Sequence, residues 1–414
     1  MSILLIHNIG LLATPAGNAA RRGADQGQIQ LRKNAWVLIN DGVIVGVGDG
    51  PLPDLSGYFV PMLDAQGRLA TPGLVDAHTH LVFGGWRQNE LGLKLHGASY
   101  LDILAQGGGI LSTVKATREA TEQELFDKAR AALDEMMFMG VTTVEAKSGY
   151  GLDTETELKQ LRVIRKLNEE HPLDVAATFL GAHAVPAEYK NDREGYIRLL
   201  CKKMIPSVAR EKLAAFCDVF CETGVFSAEE SRRILECGKR YGLIPKIHAD
   251  EIDPIGGSAL TAEVGAISAE HLIVCPPDGI AAMAKAGTVA CCLPATSFYL
   301  DSTYAPARDM VSAGVPVAMA SDFNPGSCPS LNLQFVMNLG CLKYKLTPEE
   351  VLTAVTLNGA AAIGMADKVG SVEVGKQGDL VIWDAPDLDY ICYRMGSNLA
   401  KTVVKKGEIV RNAI

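Results

Sequence analysis

Short apolar runs alternate with amphipathic segments through the middle of the chain. The apolar runs are rich in Val, Ala, Ile and Cys and show little polar alternation, which is typical of strands buried on both faces of a parallel sheet. We predict eight such strands, at 73–81, 140–147, 174–181, 216–222, 243–249, 266–272, 287–294 and 315–321. Eight strands separated by helical intervals predict an α/β fold, a (β/α)8 TIM-like barrel. A doubly wound open sheet is the alternative.

The helical intervals carry recognisable start and stop signals. Capping boxes, in which Ser or Thr is followed three residues later by Glu, occur at 121–124, 227–230 and 347–350. Gly140 and Gly242 stand where a helix is expected to end. These signals predict that helices separate the strands, as a barrel of this kind requires.

The two ends of the chain follow a different pattern, that of short β-strands and tight turns. Residues 36–48 alternate around the Asp41-Gly42 pair, which is a hairpin signal, and two more strand segments follow at 378–385 and 401–413. We therefore expect both termini to pair in one small β-sandwich domain. The predicted domains are 1–66 plus 362–414 for this small composite β domain and 67–361 for the barrel.

Composition excludes several classes of protein. The 414 residues are 48% hydrophobic and 21% charged, which is typical of a globular chain and not of a disordered one. The net charge of −9 argues against a nucleic-acid partner, whose phosphates need a basic surface. No stretch approaches the roughly 20 apolar residues of a membrane helix. We expect neither nucleic acid nor membrane as a partner.

The cysteines and the N-terminus bear on location. Ten cysteines are present without a CxxC pair, so a zinc ribbon or a thioredoxin-like site has no support, and we expect free thiols in a reducing compartment. The apolar N-terminus lacks a positively charged segment, which favours a strand over a signal peptide. These features predict a cytoplasmic protein.

The eight histidines are distributed unevenly. Catalytic groups of a (β/α)8 barrel project from the carboxyl ends of its strands. Five histidines fall at those predicted ends, and His7, His96 and His171 are expected to be structural. Polar residues at the ends of the predicted strands are Asp76, His78, His80, Lys147, His183, Glu222, His248, Asp250, Glu251, Glu270, His271, Asp322 and Asn324.

Four of these residues predict a metal site. His78 and His80 are two apart, so on a strand both imidazoles point to the same face. His248 and Asp322 add ligands from other strands, and three imidazoles with one carboxylate suit zinc, with iron or manganese as alternatives. Other readings stay open: Lys147 is a carboxylated metal bridge or a buried or substrate-facing amine, and Glu222 holds a second metal or none.

Longer motifs resemble a known family. PGLVDAHTHLVFGG (72–85), followed by an Asp on strand 8, is similar to the amidohydrolase superfamily. Finer blocks resemble the imidazolonepropionase family of histidine degradation, nearly from end to end of the chain. These blocks are HGASYLDILAQGGGILSTVKATR (96–118), EAKSGYGLD (145–153), FLGAHAVPAEY (179–189), HADE (248–251) and SDFNPGSCPS (321–330).

The resemblance implies an activity and a set of site residues. Water opens the ring of 4-imidazolone-5-propanoate at its amide C–N bond and gives N-formimidoyl-L-glutamate, the third step of L-histidine degradation. The resemblance also implies a homodimer and one transition metal per chain, zinc or iron. By position, the metal ligands are His78, His80, His248 and Asp322, the catalytic residues are Glu251, His271 and Asp322, and the substrate-binding residues are Arg87, Tyr150, His183, Glu251, Asn324, Gly326 and Ser327.

The residue types fit these roles. A guanidinium grips a carboxylate through two hydrogen bonds, which suits Arg87 and the substrate's propionate. The loop at 324–327 offers an amide, a hydroxyl and backbone N–H groups. Glu251 is the expected general base, and His271 is expected to orient the attacking water or to stabilise the oxyanion.

Two other classes of function remain open. Another amidohydrolase, acting on a nucleobase or a different cyclic amide, would leave Arg87 and the 324–327 loop unexplained. A scaffold that has lost catalysis would have lost metal ligands, whereas all four candidates are present.

Overall fold

Eight parallel strands in chain order form the central barrel of the structure, a computed structural model that describes residues 3–56, 59–97 and 108–413. All eight predicted barrel strands are present: β6 (Leu74–Asp76), β7 (Val141–Lys147), β8 (Asp174–Ala182), β9 (Phe216–Cys221), β10 (Ile244–Ala249), β11 (Ser268–His271), β12 (Val289–Cys292) and β13 (Val317–Met319). Their near-continuous apolar sequences are buried on both faces, as the pattern predicted.

Backbone contacts just beyond β6 and β13 bring the first and last strands of the barrel together. Thr79 pairs in parallel with Phe323, His80 N donates to Phe323 O at 2.9 Å, and Asp322 N donates to His78 O at 3.0 Å. The prediction of a barrel is therefore confirmed, and the open sheet is excluded. The same contacts place two predicted metal ligands, His80 and Asp322, side by side.

Helices fill the intervals between the strands. The capping boxes at 121–124, 227–230 and 347–350 are all formed. In the described residues the α-helices are α1 (Glu90–Leu95), α2 (Ile110–Glu119), α3 (Glu122–Phe138), α4 (Thr154–Glu170), α5 (Arg193–Leu199), α6 (Ile205–Glu211), α7 (Ala228–Arg240), α8 (Gly257–Val264), α9 (Pro277–Ala286), α10 (Pro294–Tyr299), α11 (Ala307–Ser312), α12 (Leu333–Leu342), α13 (Pro348–Ala354), α14 (Leu357–Ala362) and α15 (Leu388–Tyr393). Each of them is too short or too polar to cross a bilayer.

Both chain ends contribute to a second, mixed sheet. Its strands are β1 (Ile3–Thr14), β2 (Gln30–Asn40), β3 (Val43–Asp49), β4 (Met62–Asp64), β5 (Leu69–Pro72), β14 (Leu380–Trp383), β15 (Ala400–Lys405) and β16 (Glu408–Asn412). The order is β16-β15-β14-β5-β1-β2-β3, with β4 beside β1. The small terminal domain is thus confirmed. Its boundary at residue 66 stays a prediction, and β5, which lies beyond that residue, pairs with β14 in this sheet.

A cluster of charges joins the small domain to the amino-terminal end of the barrel. Lys405 Nζ, at the end of β15, lies 2.7 Å from Asp174 Oδ2, at the start of β8, and 2.7 Å from Asp379 Oδ2. Gln377 Nε2 donates to the same two oxygens, at 2.7 and 2.8 Å. We call Asp174, Asp379 and Lys405 the floor cluster, since they lie at the end of the barrel opposite to the predicted site.

Candidate functional site

The four predicted metal ligands converge at the carboxyl end of the barrel. His78 and His80 directly follow β6, His248 lies near the end of β10, and Asp322 follows β13. Asp322 Oδ1 lies 3.5 Å from both His78 Nε2 and His80 Nε2, and His248 Nε2 lies 3.5 Å from His80 Nε2. All four side chains are buried. One ion at their centre would contact three imidazoles and one carboxylate.

Neighbouring side chains aim three of these ligands. His78 Nδ1 lies 2.9 Å from Glu270 Oε2, and His248 Nδ1 lies 3.0 Å from Asp218 Oδ2. A carboxylate that accepts the Nδ1 proton leaves the Nε2 lone pair free for a metal. Thr296 acts on Asp322 in a similar way, since its hydroxyl donates to Oδ2 at 2.6 Å and leaves Oδ1 facing the imidazoles.

The donor atoms left at the centre fit a metal ion. Within the described residues, the buried His78 Nε2 and Asp322 Oδ1 have no hydrogen-bond partner, which is costly unless a ligand compensates. Burial lowers the pKa of His78 and of His80 well below the usual range, so both imidazoles are neutral and able to bind a cation. Neutral imidazoles with one carboxylate are a donor set that suits a transition metal.

His271 and Glu251 lie beside the four ligands. His271 ends β11 with a φ of 69°, which a non-glycine residue rarely adopts, and its Nε2 lies 3.6 Å from Glu251 Oε2. Together with His78 and His248, His271 forms a second group able to hold an ion. Burial, with the nearby charges of Asp322 and Glu222, raises the pKa of Glu251 to about 8. A carboxyl with such a pKa can both take and release a proton near neutral pH.

Tyr150 and His183 form a wall next to the histidines. The His183 ring stacks on that of His80, with centroids 4.9 Å apart, and the Tyr150 ring lies 5.3 Å from that of His183. His183 Nδ1 contacts Gly149 O at 3.0 Å. Gly149 has a φ of 113°, and a Cβ there would lie 3.0 Å from His183 Nδ1, so glycine is needed for this approach.

Helix α4 holds the loop that carries Tyr150. Glu157 is fully buried, and its carboxylate accepts backbone N–H groups from Gly149, Gly151 and Leu152 at 2.8–3.1 Å. Gln160 Oε1 accepts the N–H of Tyr150. Four consecutive backbone N–H groups of this loop thus find their hydrogen-bond acceptors on one helix, which holds the backbone at Tyr150 in place.

Arg87 and the loop at 324–327 also come together. The guanidinium lies across Gly326, where a Cβ would be 2.1 Å from Arg87 Nη1, so a larger residue there would require the Arg87 side chain to move. Arg87 also forms a two-bond ion pair with Glu90, at 3.0 and 2.8 Å. Asn324 Oδ1 accepts the N–H groups of Gly326 and Ser327, at 2.8 and 2.7 Å. The N–H groups that we expected to face the substrate are thus used inside the loop, and Asn324 shapes the turn.

Two other predictions now have an outcome. Lys147 is buried, with Nζ 2.7 Å from Glu145 Oε1 and 2.8 Å from Asp218 Oδ2, and this position between two carboxylates favours the buried amine of the two alternatives. Glu222 accepts the backbone N–H groups of Ile252 and Asp253, next to Glu251. It anchors that loop, and among the described residues it belongs to neither of the two groups able to hold an ion. Residues 98–107 of the 96–118 motif lie outside the described residues.

Comparisons with known proteins agree with this geometry. The model of the Amidohydrolase family matches residues 69–410. The chain belongs to the amidohydrolase family. Within that family it belongs with the imidazolonepropionases, since it is 53% identical over 411 residues to the one from Alkaliphilus metalliredigens (98% of this chain and 97% of the relative). It is also 51% identical over 413 residues to the one from Brevibacillus brevis, with the same two shares covered.

Solved structures of other enzymes share the fold. An adenosine deaminase from Xanthomonas campestris with bound zinc matches with a TM-score of 0.74 at 20% identity, covering 99% of this chain and 93% of the other. The atrazine chlorohydrolase from Arthrobacter aurescens TC1, complexed with zinc, matches with a TM-score of 0.73 at 18% identity over 99% and 95% of the two chains. At such identities the likeness concerns the fold alone.

Sequence reasoning missed the residues that orient the ligands. Asp218, Glu157 and Thr296 received no role, although each contacts a predicted ligand or holds a site loop. One signal was available: Asp218 and Lys246 are charged residues within strands that are otherwise apolar and buried on both faces. Charges in such strands must be paired, and here the pairs lead to the metal site.

Proposed function

We propose that this amidohydrolase opens the ring of 4-imidazolone-5-propanoate at its amide C–N bond, which gives N-formimidoyl-L-glutamate in the degradation of L-histidine. The observation that carries this proposal is identity of about half the residues to imidazolonepropionases over nearly the whole chain. The convergent histidines and Asp322 support metal-dependent hydrolysis at the mouth of the barrel.

The site binds one transition metal through His78, His80, His248 and Asp322. Zinc is our first candidate, because two neighbours with the same fold carry zinc, and iron is the second. A metal held there would supply Lewis-acid chemistry that activates the ring carbonyl and a water for hydrolysis. The carboxylates behind His78 and His248 keep both imidazoles in the tautomer that binds a cation.

Glu251 and His271 move the protons. Glu251 accepts a proton from the attacking water and returns it to the ring nitrogen as the C–N bond breaks. Its raised pKa suits both halves of this transfer. His271 Nε2 lies 3.6 Å from the Glu251 carboxylate, close enough to orient the water or to stabilise the developing oxyanion.

The remaining residues hold the substrate. Tyr150 and His183 line the imidazolone ring, since both pack beside the metal-binding His80. Arg87 binds the propionate, with Asn324, Gly326 and Ser327 as the surface next to it. In this arrangement the substrate carboxylate competes with Glu90 for the Arg87 guanidinium.

A direct assay tests the reaction. Freshly generated imidazolonepropionate is incubated with the purified chain, and the loss of its ultraviolet absorbance is followed with and without a chelator. We expect rapid loss that the chelator abolishes and that added Zn²⁺ or Fe²⁺ restores. Absence of turnover by the metal-loaded chain, or turnover of a nucleobase instead, would overturn the proposal.

Arg87→Ala tests the choice of substrate. Loss of a two-bond, charge-assisted contact with the propionate is expected to raise KM about 100-fold, since such contacts contribute roughly 1.5–3 kcal/mol each. Arg308→Ala is the matched control, because Arg308 forms a similar two-bond pair with Glu350 on helix α13. An unchanged KM in Arg87→Ala would contradict recognition of the propionate by this residue.

We also propose a cytoplasmic homodimer without a nucleic-acid or membrane partner. The net charge of −9 argues against a nucleic-acid partner, the ten free cysteines favour a reducing compartment, and the homodimer follows from the resemblance to the imidazolonepropionase family. Sedimentation of the purified chain across a range of concentrations tests the dimer, and a monomer at micromolar concentration would contradict it.

A further inference from the structure

Five fully buried charged side chains lie inside the barrel beneath the proposed metal ligands. They come from four strands, β7, β9, β10 and β11, and carry two positive and three negative charges in their ionised forms. They are Glu145, Lys147, Asp218, Lys246 and Glu270, and we call them the buried charge chain. Burial of five charges is costly unless each is paired, so a common role is expected.

One half of the chain starts at His78. Glu270 Oε2 lies 2.9 Å from His78 Nδ1, and Glu270 Oε1 lies 3.4 Å from Lys246 Nζ. Lys246 Nζ also lies 3.1 Å from Glu145 Oε1. Ser268 donates to Glu270 Oε1 as well, at 2.5 Å. Both oxygens of Glu270 therefore have partners, and the carboxylate that faces His78 has little freedom to rotate.

The other half starts at His248 and meets the first half at Glu145. Asp218 Oδ2 lies 3.0 Å from His248 Nδ1 and 2.8 Å from Lys147 Nζ. Lys147 Nζ lies 2.7 Å from the same Glu145 oxygen that Lys246 contacts. The two ligating histidines are therefore connected through an unbroken series of contacts of 2.7–3.4 Å.

We propose that Lys147 and Lys246 are positioning residues for the metal centre, which they serve through Asp218 and Glu270. Each amine neutralises and holds the carboxylate that sets the tautomer and direction of one histidine. Without its lysine, that carboxylate would lose the cation that holds its orientation, whether or not Glu145 is charged, and would turn away from the imidazole. This inference rests on the proposed ligand set, although not on the identity of the substrate.

The floor cluster provides a matched control. Lys405 is also buried and also lies between two carboxylates, at 2.7 Å from each, but at the opposite end of the barrel. A purely structural role for Lys147 and Lys246 predicts that Lys→Met changes at all three positions have the same consequences. A positioning role predicts that only the two lysines of the buried charge chain affect the metal.

The experiment measures the affinity of the full chain for Zn²⁺ and its thermal stability in parallel. The Zn²⁺-loaded chain is titrated with a chromophoric chelator, and the variants are Lys147→Met, Lys246→Met and Lys405→Met. We expect Zn²⁺ affinity to fall about 10- to 100-fold in the first two variants, as is usual when partners of metal-bound histidines are lost, and to stay within twofold in Lys405→Met. The visible spectrum of Co²⁺-substituted protein should change in the same two variants only.

A charge-balanced variant separates positioning from stability. Glu145→Gln with Lys246→Met removes one charge of each sign, and we expect it to recover part of the melting temperature lost in Lys246→Met. Zn²⁺ affinity should nevertheless remain at least about tenfold below that of the parent chain, because Glu270 still lacks its amine. If Lys246→Met alone prevents folding, this double variant takes its place in the Zn²⁺ titration.

The outcomes are distinct. Parent-like Zn²⁺ affinity in the balanced variant and in both single lysine variants would overturn the inference. His78→Ala tests the ligand set itself: if it retains Zn²⁺ with parent-like affinity, the proposed ligands are wrong. Loss of Zn²⁺ in His78→Ala but not in the lysine variants rejects the positioning role alone.

Discussion

The two ends of the barrel both bury charged and polar groups, but they satisfy them differently. In the floor cluster each carboxylate oxygen of Asp174 and Asp379 has a partner: Lys405 and Gln377 contact one oxygen of each, and Lys406 contacts the other. At the mouth, His78 Nε2 and Asp322 Oδ1 are buried without a partner among the described residues.

This difference separates stability from function. The paired charges of the floor cluster stabilise the contact between the barrel and the terminal domain, and they are satisfied without a bound ligand. At the mouth, the unpaired ligand atoms His78 Nε2 and Asp322 Oδ1 lower the stability of the metal-free chain, and a bound ion would compensate for this loss. The buried charge chain lies between these extremes. One oxygen of Glu145 and one of Asp218 are paired with lysines, while Glu145 Oε2 and Asp218 Oδ1 have no hydrogen-bond partner among the described residues.

The largest effect is expected from removing a ligand at the mouth. His78→Ala should lower kcat/KM by at least about 10⁴-fold, which corresponds to about 5.5 kcal/mol in transition-state stabilisation. The metal-free variant should also melt at a lower temperature than the metal-free parent, because Glu270 Oε2 loses its His78 partner and a cavity remains, but this loss should be modest beside the loss of activity. Activity assays measure the change in kcat/KM, and thermal denaturation with excess chelator measures the change in melting temperature. A large stability loss with retained activity would reverse the contrast between the two ends.

A smaller effect is expected from Glu251→Gln, about 10³-fold in kcat, because the variant cannot accept the water proton. In the parent chain Glu251 must be ionised to act as a base, so kcat/KM should fall as the pH drops below about 8. A bound cation favours the carboxylate and shifts this limb to lower pH. The variant should lack this fall in kcat/KM at low pH, and if the fall persists in the variant, it belongs to the titration of another group.

The pH dependence of stability provides a second test of the Glu251 carboxyl. The pKa of the Glu251 carboxyl rises on folding from 4.5 to about 8, so the folded chain binds this proton more tightly than the unfolded chain does. Its contribution to stability is therefore fully present below pH 4.5 and is lost as the pH rises through 8. Glu251→Gln should accordingly stabilise the metal-free chain above pH 8. The difference in unfolding free energy between the variant and the parent should shrink as the pH is lowered. Denaturant titration at pH 6 and pH 9 measures this difference.

Lys405→Met tests the other end of the barrel. Removing one partner of a buried pair leaves uncompensated charge, and we expect a loss of about 3 kcal/mol in the free energy of unfolding. The kcat/KM of the folded variant should stay within twofold of the parent value, because the floor cluster contacts none of the proposed site residues. Urea denaturation and steady-state kinetics measure the two quantities. A large drop in kcat/KM would show that the two ends are coupled.

The smallest effect is expected away from both ends. Thr347 caps helix α13, where its hydroxyl accepts the N–H of Glu350 and the Glu350 carboxylate accepts the N–H of Thr347. Thr347→Ala should cost about 1 kcal/mol in unfolding free energy, as is usual for a lost N-cap. Thr347→Ser keeps the hydroxyl and serves as the control. Equal losses in the two variants would assign the effect to the lost methyl group rather than to the cap.

Local signals predicted a large part of this molecule correctly. The eight apolar runs became the eight barrel strands, and the capping boxes at 121–124, 227–230 and 347–350 formed as expected. The HxH pair also had a local signal, since two residues at i and i+2 in extended backbone share a face, although both histidines lie just beyond β6. Each of these features depends on residues close together in the chain, where propensity and periodicity act directly.

The partners of the ligands had no such signal. His78 and Glu270 are 192 residues apart, and the side-chain oxygen of Asn324 accepts two hydrogen bonds within its own loop. Which carboxylate meets which imidazole depends on the order and register of the strands around the barrel. Register is a property of strand pairs, and no single segment contains it.

By itself, the sequence determined the alternation of strands and helices, the terminal β domain and the identity of the candidate ligands. Those features follow from the spacing of apolar residues and from the kinds of side chain at strand ends. Only the tertiary structure decided that Lys147 is held between carboxylates, that Glu222 anchors a loop and that Gly326 makes room for Arg87. The physical reason is that burial and pairing of charge arise from closure of the barrel, which brings distant strand ends together.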